Sequence, residues 1–263
     1  MRQILSFSFM FHLKTFFNMS RKSGITTTTM KLNPPQPTTS SSSQDSSSTE
    51  WNNYCPQDLG ANGSYRLGIS AVIPRPVAVI TTRNIKDDDG IINCAPFSYT
   101  GLLSHDPPIV AHGICLKSNG EKKDTLVNIE QTNEWVFNVL SDSYVKEANA
   151  CSEELLPNIS EVDKALLNTL PSLSIVTPRL AEAMVAMECV LESTKEVFND
   201  EGTHTTTIVM GKIVRYHIHT SVLKDGNKDR PTVDLHKLRS VGRAGDITYW
   251  PVGEGKELKL HRP

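Results

Sequence analysis

An apolar run at residues 71–82 limits the fold, because two prolines interrupt it. Pro74 and Pro76 flank Arg75, and each proline lacks the amide hydrogen that a helix or an inner strand would use. Residues 73–76 are therefore expected at a sheet edge or in an entry loop. The β-branched residues that follow, 77–82, predict a buried strand.

A turn signal separates this strand from a second stretch that proline stiffens. Residues 86–90 end in Asp-Gly, which supplies the positive φ of a tight hairpin turn, and residues 91–93 are predicted as the returning arm. Pro96 then fixes a defined bend in the segment that follows. Its amides, the Asn93 side chain and the Ser98 hydroxyl suit a flat ligand rich in hydrogen-bond acceptors, such as a flavin ring. A plain bend between two strands is the alternative.

The remaining pattern consists of many strand-like runs and few helical ones. Strands are predicted at residues 109–116, 134–140, 173–176, 184–192 and 205–219, helices at 124–131, 143–152 and 161–170, the last capped by Ser160, and a short strand or turn at 65–69. Gly211 predicts a bulge or a strand junction. Since strands and helices do not alternate, the expected fold is mainly β, a closed or nearly closed barrel with a few helical insertions.

Composition excludes several classes of protein. The chain has 263 residues and a net charge of −2 without an evident basic face, so no nucleic acid is expected as a partner. Five widely spaced cysteines contain no Cys-x-x-Cys pair, which favours reduced thiols in an intracellular compartment over a disulfide framework. No run of eighteen apolar residues is present, which argues against a membrane span.

Residues 1–50 are predicted to form a disordered leader, and residues 51–263 the folded domain. The leader has no acidic residue before about Gln44, several basic ones, and an apolar stretch at residues 4–17. These features fit a mitochondrial transit peptide. A signal-peptide core and an untranslated extension that ends at Met19 are the alternatives. Residues 26–49 are rich in Ser, Thr and Pro, so they cannot bury enough apolar surface to fold. A cytoplasmic or mitochondrial location is expected.

Two lysines precede the predicted helix at 124–131, for which Asp124 or Thr125 is the expected N-cap. Cations at a helix N-terminus oppose the macrodipole, typically by about 0.3–1 kcal/mol. A bound anion would reverse the sign, because Lys122, Lys123 and the exposed amides would then act together, and a phosphate is the natural anion. A solvated loop whose lysines point away is the alternative.

Other polar residues are weaker candidates for a site. Arg75 is held rigidly by its prolines, and Thr81 and Thr82 end the next strand, so they suit a phosphate or a ring carbonyl. Alternatively, Arg75 protects a sheet edge. His217 and His219 share one strand face but lack a third ligand nearby, which favours surface histidines over a metal site. No Gly-x-Ser-x-Gly, P-loop or Gly-x-Gly-x-x-Gly motif is present, so a Rossmann unit is not expected to hold a nicotinamide.

Five motifs in order resemble the flavin reductase-like FMN-binding proteins over roughly residues 65–249. They are Ser70-Ala71-Val72-Ile73-Pro74-Arg75-Pro76-Val77-Ala78, then Asn93-x-Ala95-Pro96-Phe97-Ser98-Tyr99, then Lys123-Asp124-Thr125-x-x-Asn128-Ile129, then Pro178-Arg179-Leu180-Ala181-Glu182 with Glu188-Cys189, and Val241-Gly242-Arg243-Ala244-Gly245 with Tyr249. The resemblance implies a split β-barrel of Greek-key-like topology. It also implies a homodimer that binds FMN, or less often FAD, near the subunit interface.

The resemblance also assigns residues to the flavin by position. Thr81 and Thr82 would lie along the flavin and its ribityl tail. The isoalloxazine would be lined by Asn93, Ala95, Pro96, Phe97 and Ser98. The phosphate would be held by Lys123, Asp124 and Thr125, with Arg75 and Arg243 as further candidates near the phosphate or the partner subunit. The sequence departs from the family at Ala244-Gly245 and at Cys94, where a thiol beside a flavin would be sensitive to oxidation.

The implied activity is that of an NAD(P)H:flavin oxidoreductase. A nicotinamide stacked on the exposed flavin face would pass a hydride to N5, and donors near Asn93 would stabilise charge at N1 and the C2 carbonyl. Since the cofactor performs this chemistry, no catalytic side chain is expected. The alternatives are a flavoprotein oxygenase, a reductase of another acceptor, a non-catalytic FMN-binding electron carrier and a binding module without cofactor.

Overall fold

The computed structural model describes residues 51–85, 90–224, 229–255 and 260, and the chain from Asn53 onward forms one compact unit. The predicted leader and residues 86–89 of the predicted Asp-Gly turn lie outside the described residues. Within the described ranges, no helix is both long enough and apolar enough to cross a membrane.

Strands make up most of the regular structure. The strands are β1 (Ala78–Arg83), β2 (Ile92–Phe97), β3 (Thr100–His105), β4 (Pro108–Cys115), β5 (Glu134–Val139), β6 (Thr169–Leu170), β7 (Arg179–Leu180), β8 (Val185–Phe198), β9 (His204–Ile218), β10 (Val241–Arg243) and β11 (Tyr249–Pro251). The α-helices are α1 (Pro56–Ala71), α2 (Asp124–Thr132), α3 (Val145–Ala150), α4 (Glu161–Lys164) and α5 (Leu235–Leu238). Helix α1 breaks at Gly60, where φ is 63°.

Seven strands form one antiparallel sheet in the order β2-β1-β5-β8-β9-β4-β3. The edge strands β2 and β3 are consecutive in the chain, and only Ser98 and Tyr99 join them. So short a link cannot cross a flat sheet of seven strands that lie about 4.8 Å apart, so the sheet curls until its edges approach each other. The Gly113 amide donates to the Tyr99 carbonyl at 2.7 Å and holds this corner against β4. The expected split β-barrel, mainly β with a few helical insertions, is confirmed.

Strand β1 lies between two apolar cores, since successive residues of a strand point to opposite faces. Ala78 and Ile80 belong to the barrel core, which β4, β5, β8, β9 and α2 complete. Val77 and Val79 belong to the outer core, to which α3, α4 and β10 contribute. The sequence therefore reads as a continuous apolar run at β1, because both of its faces are buried.

Trp135 fills the middle of the barrel core and explains Gly211. The Trp135 side chain is fully buried, and a Cβ at Gly211 would lie only 2.1 Å from its Cη2 atom. The predicted bulge occurs in the neighbouring strand, where the register of β8 shifts between Leu191 and Ser193 opposite this glycine.

Trp135 Nε1 donates to His112 Nε2 at 3.3 Å. Burial lowers the pKa of His112 to about 3, so this imidazole is neutral at physiological pH.

Most predicted elements are confirmed. The strands at 77–82, 91–93, 109–116, 134–140, 184–192 and 205–219 correspond to β1, β2, β4, β5, β8 and β9, and the helix at 124–131 corresponds to α2. The helix at 143–152 is a 3₁₀ turn followed by α3. The Ser160 hydroxyl caps α4 by accepting from the Asp163 amide, but this helix ends at Lys164 because Leu166 adopts a positive φ of 57°.

Two predictions are wrong. Residues 65–69 belong to α1, where three glycines and an exposed surface hide the helical pattern that the sequence would otherwise show. Residues 173–176 are not a strand, because carboxylates bind their backbone amides. Glu188 accepts from Leu173 and Ser174, and Glu134 accepts from Val176.

The close approach of Trp135 to β9 gives a testable prediction for stability. We expect Gly211→Ala to lower the free energy of unfolding by about 1–3 kcal/mol, because the new methyl group displaces a fully buried ring. Denaturant unfolding of wild type and variant measures the difference. Gly101→Ala is the matched control, since a Cβ there meets nothing within 4 Å. Equal stability of the Gly211→Ala protein would contradict the close packing of this ring.

Candidate functional site

A groove runs beside β2, and its first part encloses about 520 Å³ with the open side included. It lies between β2, the start of α2 and the loop after α3. Its lining residues are Asn93, Ala95, Pro96, Phe97, Lys117, Lys123, Asp124, Thr125, residues 151–155 and Glu161.

The second part of the groove encloses about 780 Å³ with its open side included. It lies between α1, the β2–β3 corner and the β10–β11 pair. Its lining residues include Tyr65, Ile69, Arg75, Ser98, Tyr99, Asn149, Arg243, Asp246 and Tyr249. Pro96, Phe97 and Ser152 line both parts, so the two parts are continuous and the apolar surface of Pro96 and Phe97 lies in the middle.

The N-terminus of α2 opens into the first part of the groove. Lys123 is the N-cap, in place of the predicted Asp124 or Thr125, because its carbonyl accepts the first helical hydrogen bond. The amides of Asp124 and Thr125 find no acceptor among the described residues. Lys117 Nζ lies 3.3 Å from the Asp124 carboxylate oxygens, and Lys123 Nζ lies 3.8 Å from Glu154. This end therefore combines two free amides with two amino groups.

Lys122 does not line the groove. Its Nζ donates to both carboxylate oxygens of Glu130, at 2.7 and 2.8 Å. Such an exposed pair contributes little to stability, but it holds the amino group away from the helix terminus. Of the two lysines in the predicted anion site, the structure brings only Lys123 to the groove and adds Lys117, which the sequence analysis did not select.

Carboxylates share the first part of the groove with these lysines. They are Asp124, Glu153, Glu154 and Glu161. Most have partners, since Glu153 Oε1 lies 2.8 Å from Lys164 and Asp124 is paired with Lys117. The groove is therefore not a broadly positive surface. An anion there would depend on the local contacts at the α2 terminus.

Asn93 is the centre of a buried polar network beneath the groove. Its Oδ1 accepts from the Thr82 hydroxyl at 3.2 Å and the Thr125 hydroxyl at 2.8 Å, and its Nδ2 donates to Glu161 Oε2 at 2.9 Å. The same Glu161 oxygen accepts from the Cys94 amide at 3.0 Å. Burial raises the pKa of Glu161, while the hydrogen bonds from Cys94 and Asn93 oppose the increase. The Asn93 side chain thus joins β2 to α2 and α4.

Thr82 belongs to this network, whereas Thr81 has other partners. Both side chains are fully buried and line neither part of the groove. The Thr81 hydroxyl donates to the Pro178 carbonyl at 2.7 Å, and the Thr82 hydroxyl accepts from Asn128 Nδ2 at 3.0 Å. Thr82 therefore supports β2 and α2 and Thr81 binds the segment before β7, while a role of either residue along a ligand stays a prediction.

Arg75 and Arg243 both lie in the second part of the groove, in different environments. The Arg75 guanidinium is buried and donates to three backbone carbonyls, those of Ile69, Val72 and Ala244. It fastens the end of α1 to the segment after β10, so neither a phosphate contact nor a guard at a sheet edge describes its main role. The Arg243 guanidinium lies 4.5 Å from the centre of the Tyr249 ring and remains partly exposed.

The structure brings ten of the twelve predicted site residues to the groove, Thr81 and Thr82 being the exceptions. Sequence reasoning missed Lys117, Glu161, Tyr65 and the loop at 151–155. Lys117 directly follows a correctly predicted strand, so its position beside the helix start was a usable signal. The loop carries no motif, and only the packing of α3 brings it to β2.

Cys94 does not face the groove as expected. Its side chain is fully buried in the outer core, and a hydrogen bond with the Cys151 thiol together with burial raises the pKa of Cys94. A thiol held in its protonated form is a poor nucleophile. The expected sensitivity to oxidation is therefore not supported by the geometry.

His217 and His219 lie outside the groove. His219 is exposed, as predicted, but His217 is largely buried and its Nε2 lies 2.5 Å from Oε1 of the buried Glu188. His217 is therefore not a plain surface histidine. In the part of the chain that the structure describes, no three His, Cys, Asp or Glu side chains form a group that could hold a metal ion.

Comparison with known proteins identifies the family. The model of the flavin reductase like domain matches residues 70–236. This chain belongs to the flavin reductase-like family. The flavin reductase-like protein is 33% identical over 208 residues to an uncharacterised protein of Halalkalibacterium halodurans, an alignment that covers 79% of this chain and 95% of the relative.

Two solved structures are similar to this flavin reductase-like protein. Nitrilotriacetate monooxygenase component B of Bacillus cereus gives a TM-score of 0.73 at 30% identity and covers 80% of this chain and 100% of that one. The 2-nitrobenzoate 2-nitroreductase of Pseudomonas fluorescens gives a TM-score of 0.68 at 24% identity, with 81% and 96% covered, and supports the fold alone.

Cysteine exposure gives a prediction for this flavin reductase-like protein. We expect a thiol reagent to label two of the five cysteines rapidly in the native state, because Cys55 and Cys115 are exposed and the other three are buried. Burial also raises the pKa of Cys189. Mass spectrometry of labelled peptides, with unfolded protein as the control, measures this pattern. Rapid native labelling of Cys94 would contradict its place in the outer core.

Proposed function

We propose that this protein binds FMN in the groove and is an NAD(P)H-dependent flavin oxidoreductase. The groove itself carries the proposal, because it joins the free amides and lysines at the α2 terminus to the apolar surface of Pro96 and Phe97. One end suits an anion and the middle suits a flat ring. Membership of the flavin reductase-like family supports the same class of ligand.

The residues at the α2 terminus fit a phosphate. The amides of Asp124 and Thr125 would donate to its oxygens, and Lys117 and Lys123 would add charge-assisted hydrogen bonds. The present partner of Lys123, Glu154, is 3.8 Å away and its side chain is 62% exposed, so exchanging this contact for a phosphate costs little. FAD, which carries a phosphate at the same place, is the alternative cofactor.

The middle of the groove fits the ring. Pro96 and Phe97 would lie against the isoalloxazine, and Ser98, whose hydroxyl and amide have no acceptor in the described ranges, would donate to a ring carbonyl. Fewer donors are free than the sequence suggests. The Cys94 amide already donates to Glu161, and Pro96 has no amide hydrogen.

The remainder of the groove is the proposed entry for the nicotinamide. When bound, FMN supplies the atom that accepts a hydride, and the protein supplies binding and orientation. Tyr65 and Tyr249 offer aromatic surfaces in the second part of the groove, and Arg243 offers a cation there. These three side chains would hold the nicotinamide nucleotide beside Pro96 and Phe97, where the two parts meet.

A second candidate function is that of a component of a monooxygenase system. The 30% identity to nitrilotriacetate monooxygenase component B favours it. A non-catalytic electron carrier would use the same groove.

We further propose a homodimer, since the groove is open along its length. Light scattering distinguishes a homodimer from a monomer of 29.1 kDa. An intracellular location, cytoplasmic or mitochondrial, remains part of the proposal.

The test of the proposed reaction is stopped-flow absorbance of the FMN-loaded protein. We expect NADH or NADPH to bleach the bound flavin without oxygen, and the faster nucleotide identifies the preferred donor. Dithionite is the control for a flavin that can be reduced at all. Bleaching by dithionite alone would indicate an electron carrier, and a purified protein that takes up no FMN would reject the proposed cofactor.

Lys123→Glu tests the phosphate end of the groove. Loss of one charge-assisted hydrogen bond costs roughly 1.5–3 kcal/mol and repulsion adds to it, so we expect FMN to bind at least about tenfold more weakly. Riboflavin, which has no phosphate, should lose far less affinity. Apo-protein stability should hold or rise slightly, because Glu suits a helix N-terminus better than Lys.

Titration of both flavins into apo-protein, alongside thermal melts, measures these effects. Lys122→Glu is the matched control, since the neighbouring Lys122 points to Glu130 and should leave FMN affinity nearly unchanged. Equal loss for riboflavin and FMN would mean that Lys123 shapes the ring pocket. Unchanged FMN affinity in Lys123→Glu would move the phosphate toward Arg243.

A further inference from the structure

A cavity separate from the groove lies between the β6–β7 pair and the end of β9. It encloses about 660 Å³ with its open side included and shares no lining residue with either part of the groove. Its polar lining is Arg179, His217, His219 and Thr220, and its apolar lining includes Leu170, Met184 and Ile218. The proposed flavin chemistry uses none of these residues.

Glu188 fixes one wall of this cavity. Its side chain is fully buried, and its two oxygens accept from the amides of Leu173 and Ser174 at 2.7 and 2.6 Å and from His217 Nε2 at 2.5 Å. The hydrogen bonds from His217 and the two amides lower the pKa of Glu188 although burial opposes this. Glu188 is therefore ionised, it orients the His217 ring, and it balances any positive charge on that ring.

Arg179 contributes the charge that nothing else balances. No acceptor or carboxylate among the described residues contacts its guanidinium, and its Nε is buried without a hydrogen-bond partner. The rest of the guanidinium is available to a ligand in the cavity, and no acidic side chain lines the cavity to compete for it.

His219 adds a directed donor. Its Nδ1 accepts from the Ser221 amide at 3.3 Å, so the neutral ring carries its proton on Nε2. Any positive charge on His217 is balanced by Glu188. Among the residues that line this cavity, Arg179 is therefore the one permanent charge without a counter-ion. A singly charged anion matches this balance better than a doubly charged one.

We propose that this cavity binds a small organic monocarboxylate, whose carboxylate faces Arg179 and His219 and whose apolar part packs on Leu170, Met184 and Ile218. A guanidinium pairs with a carboxylate through two parallel hydrogen bonds, which gives direction as well as affinity. Since the cavity is separate from the groove, the bound acid is not the molecule that the flavin would reduce. The site is a second binding site of the protein.

The test uses calorimetric titration of the full chain with benzoate, acetate and inorganic phosphate. FMN is present in excess so that the groove is filled. We expect benzoate to bind at one site per chain, and acetate, which lacks the apolar part, and phosphate to bind at least about tenfold more weakly. No saturable benzoate binding in the millimolar range, or tighter binding of phosphate, would overturn the proposal. Displacement of flavin by benzoate would also overturn it.

Variants locate the site. Arg179→Gln should weaken benzoate binding at least about tenfold, whereas Lys212→Gln, which removes an exposed charge from β9 outside the cavity, should leave it unchanged. Arg179→Lys keeps the charge without the planar fork and should give an intermediate loss, which keeps the test valid if the Gln variant does not fold. Equal affinity of the Arg179→Lys protein and wild type would contradict recognition by the guanidinium.

The imidazole signals of the two histidines give an independent readout. Benzoate should shift the NMR signals of His217 and His219 and leave that of His112 in the barrel core in place. Unshifted His217 and His219 signals at saturation would place the ligand elsewhere. The same titration without FMN separates this site from the proposed flavin site, since a protein that takes up no flavin would still be expected to bind benzoate.

Discussion

The two-residue link between β2 and β3 is the constraint on which the rest of the architecture depends. Ser98 and Tyr99 connect the two edges of a seven-stranded sheet, so the sheet has no flat alternative. The curl buries one face as the barrel core and turns the other outward, where α3 and α4 contribute to the outer core. It also places Pro96 and Phe97 at the corner, where the groove changes from its first part to its second.

The shape of the groove is fixed by polar side chains that are hydrogen-bonded to one another. Asn93 joins Thr82, Thr125 and Glu161 in one buried network, and these hydrogen bonds fix β2 against β1, α2 and α4. Buried networks of this kind are rigid when every member has a partner. The free donors are left at the α2 terminus and at Ser98, the places where a ligand with oxygen acceptors can contact the protein.

Sequence patterns predicted the parts that local chemistry determines. β-branched and apolar runs located most of the sheet, and the motifs located most of the groove. They did not reveal that Arg75 binds the carbonyl of Ala244, far away in the chain, or that Thr81 is fully buried and donates to the Pro178 carbonyl, because both contacts depend on which elements pack together. Residues 173–176 have a strand-like composition, yet buried carboxylates take up the amides that a strand would pair.

Strand β1 has a consequence for how the molecule melts. Its alternating side chains belong to both cores, Ala78 and Ile80 to the barrel core, Val79 and the preceding Val77 to the outer core. If one core loses its packing, β1 moves and the other core loses its packing as well. The barrel and its helical layer should behave as a single cooperative unit, with equal calorimetric and van't Hoff enthalpies in a heating experiment.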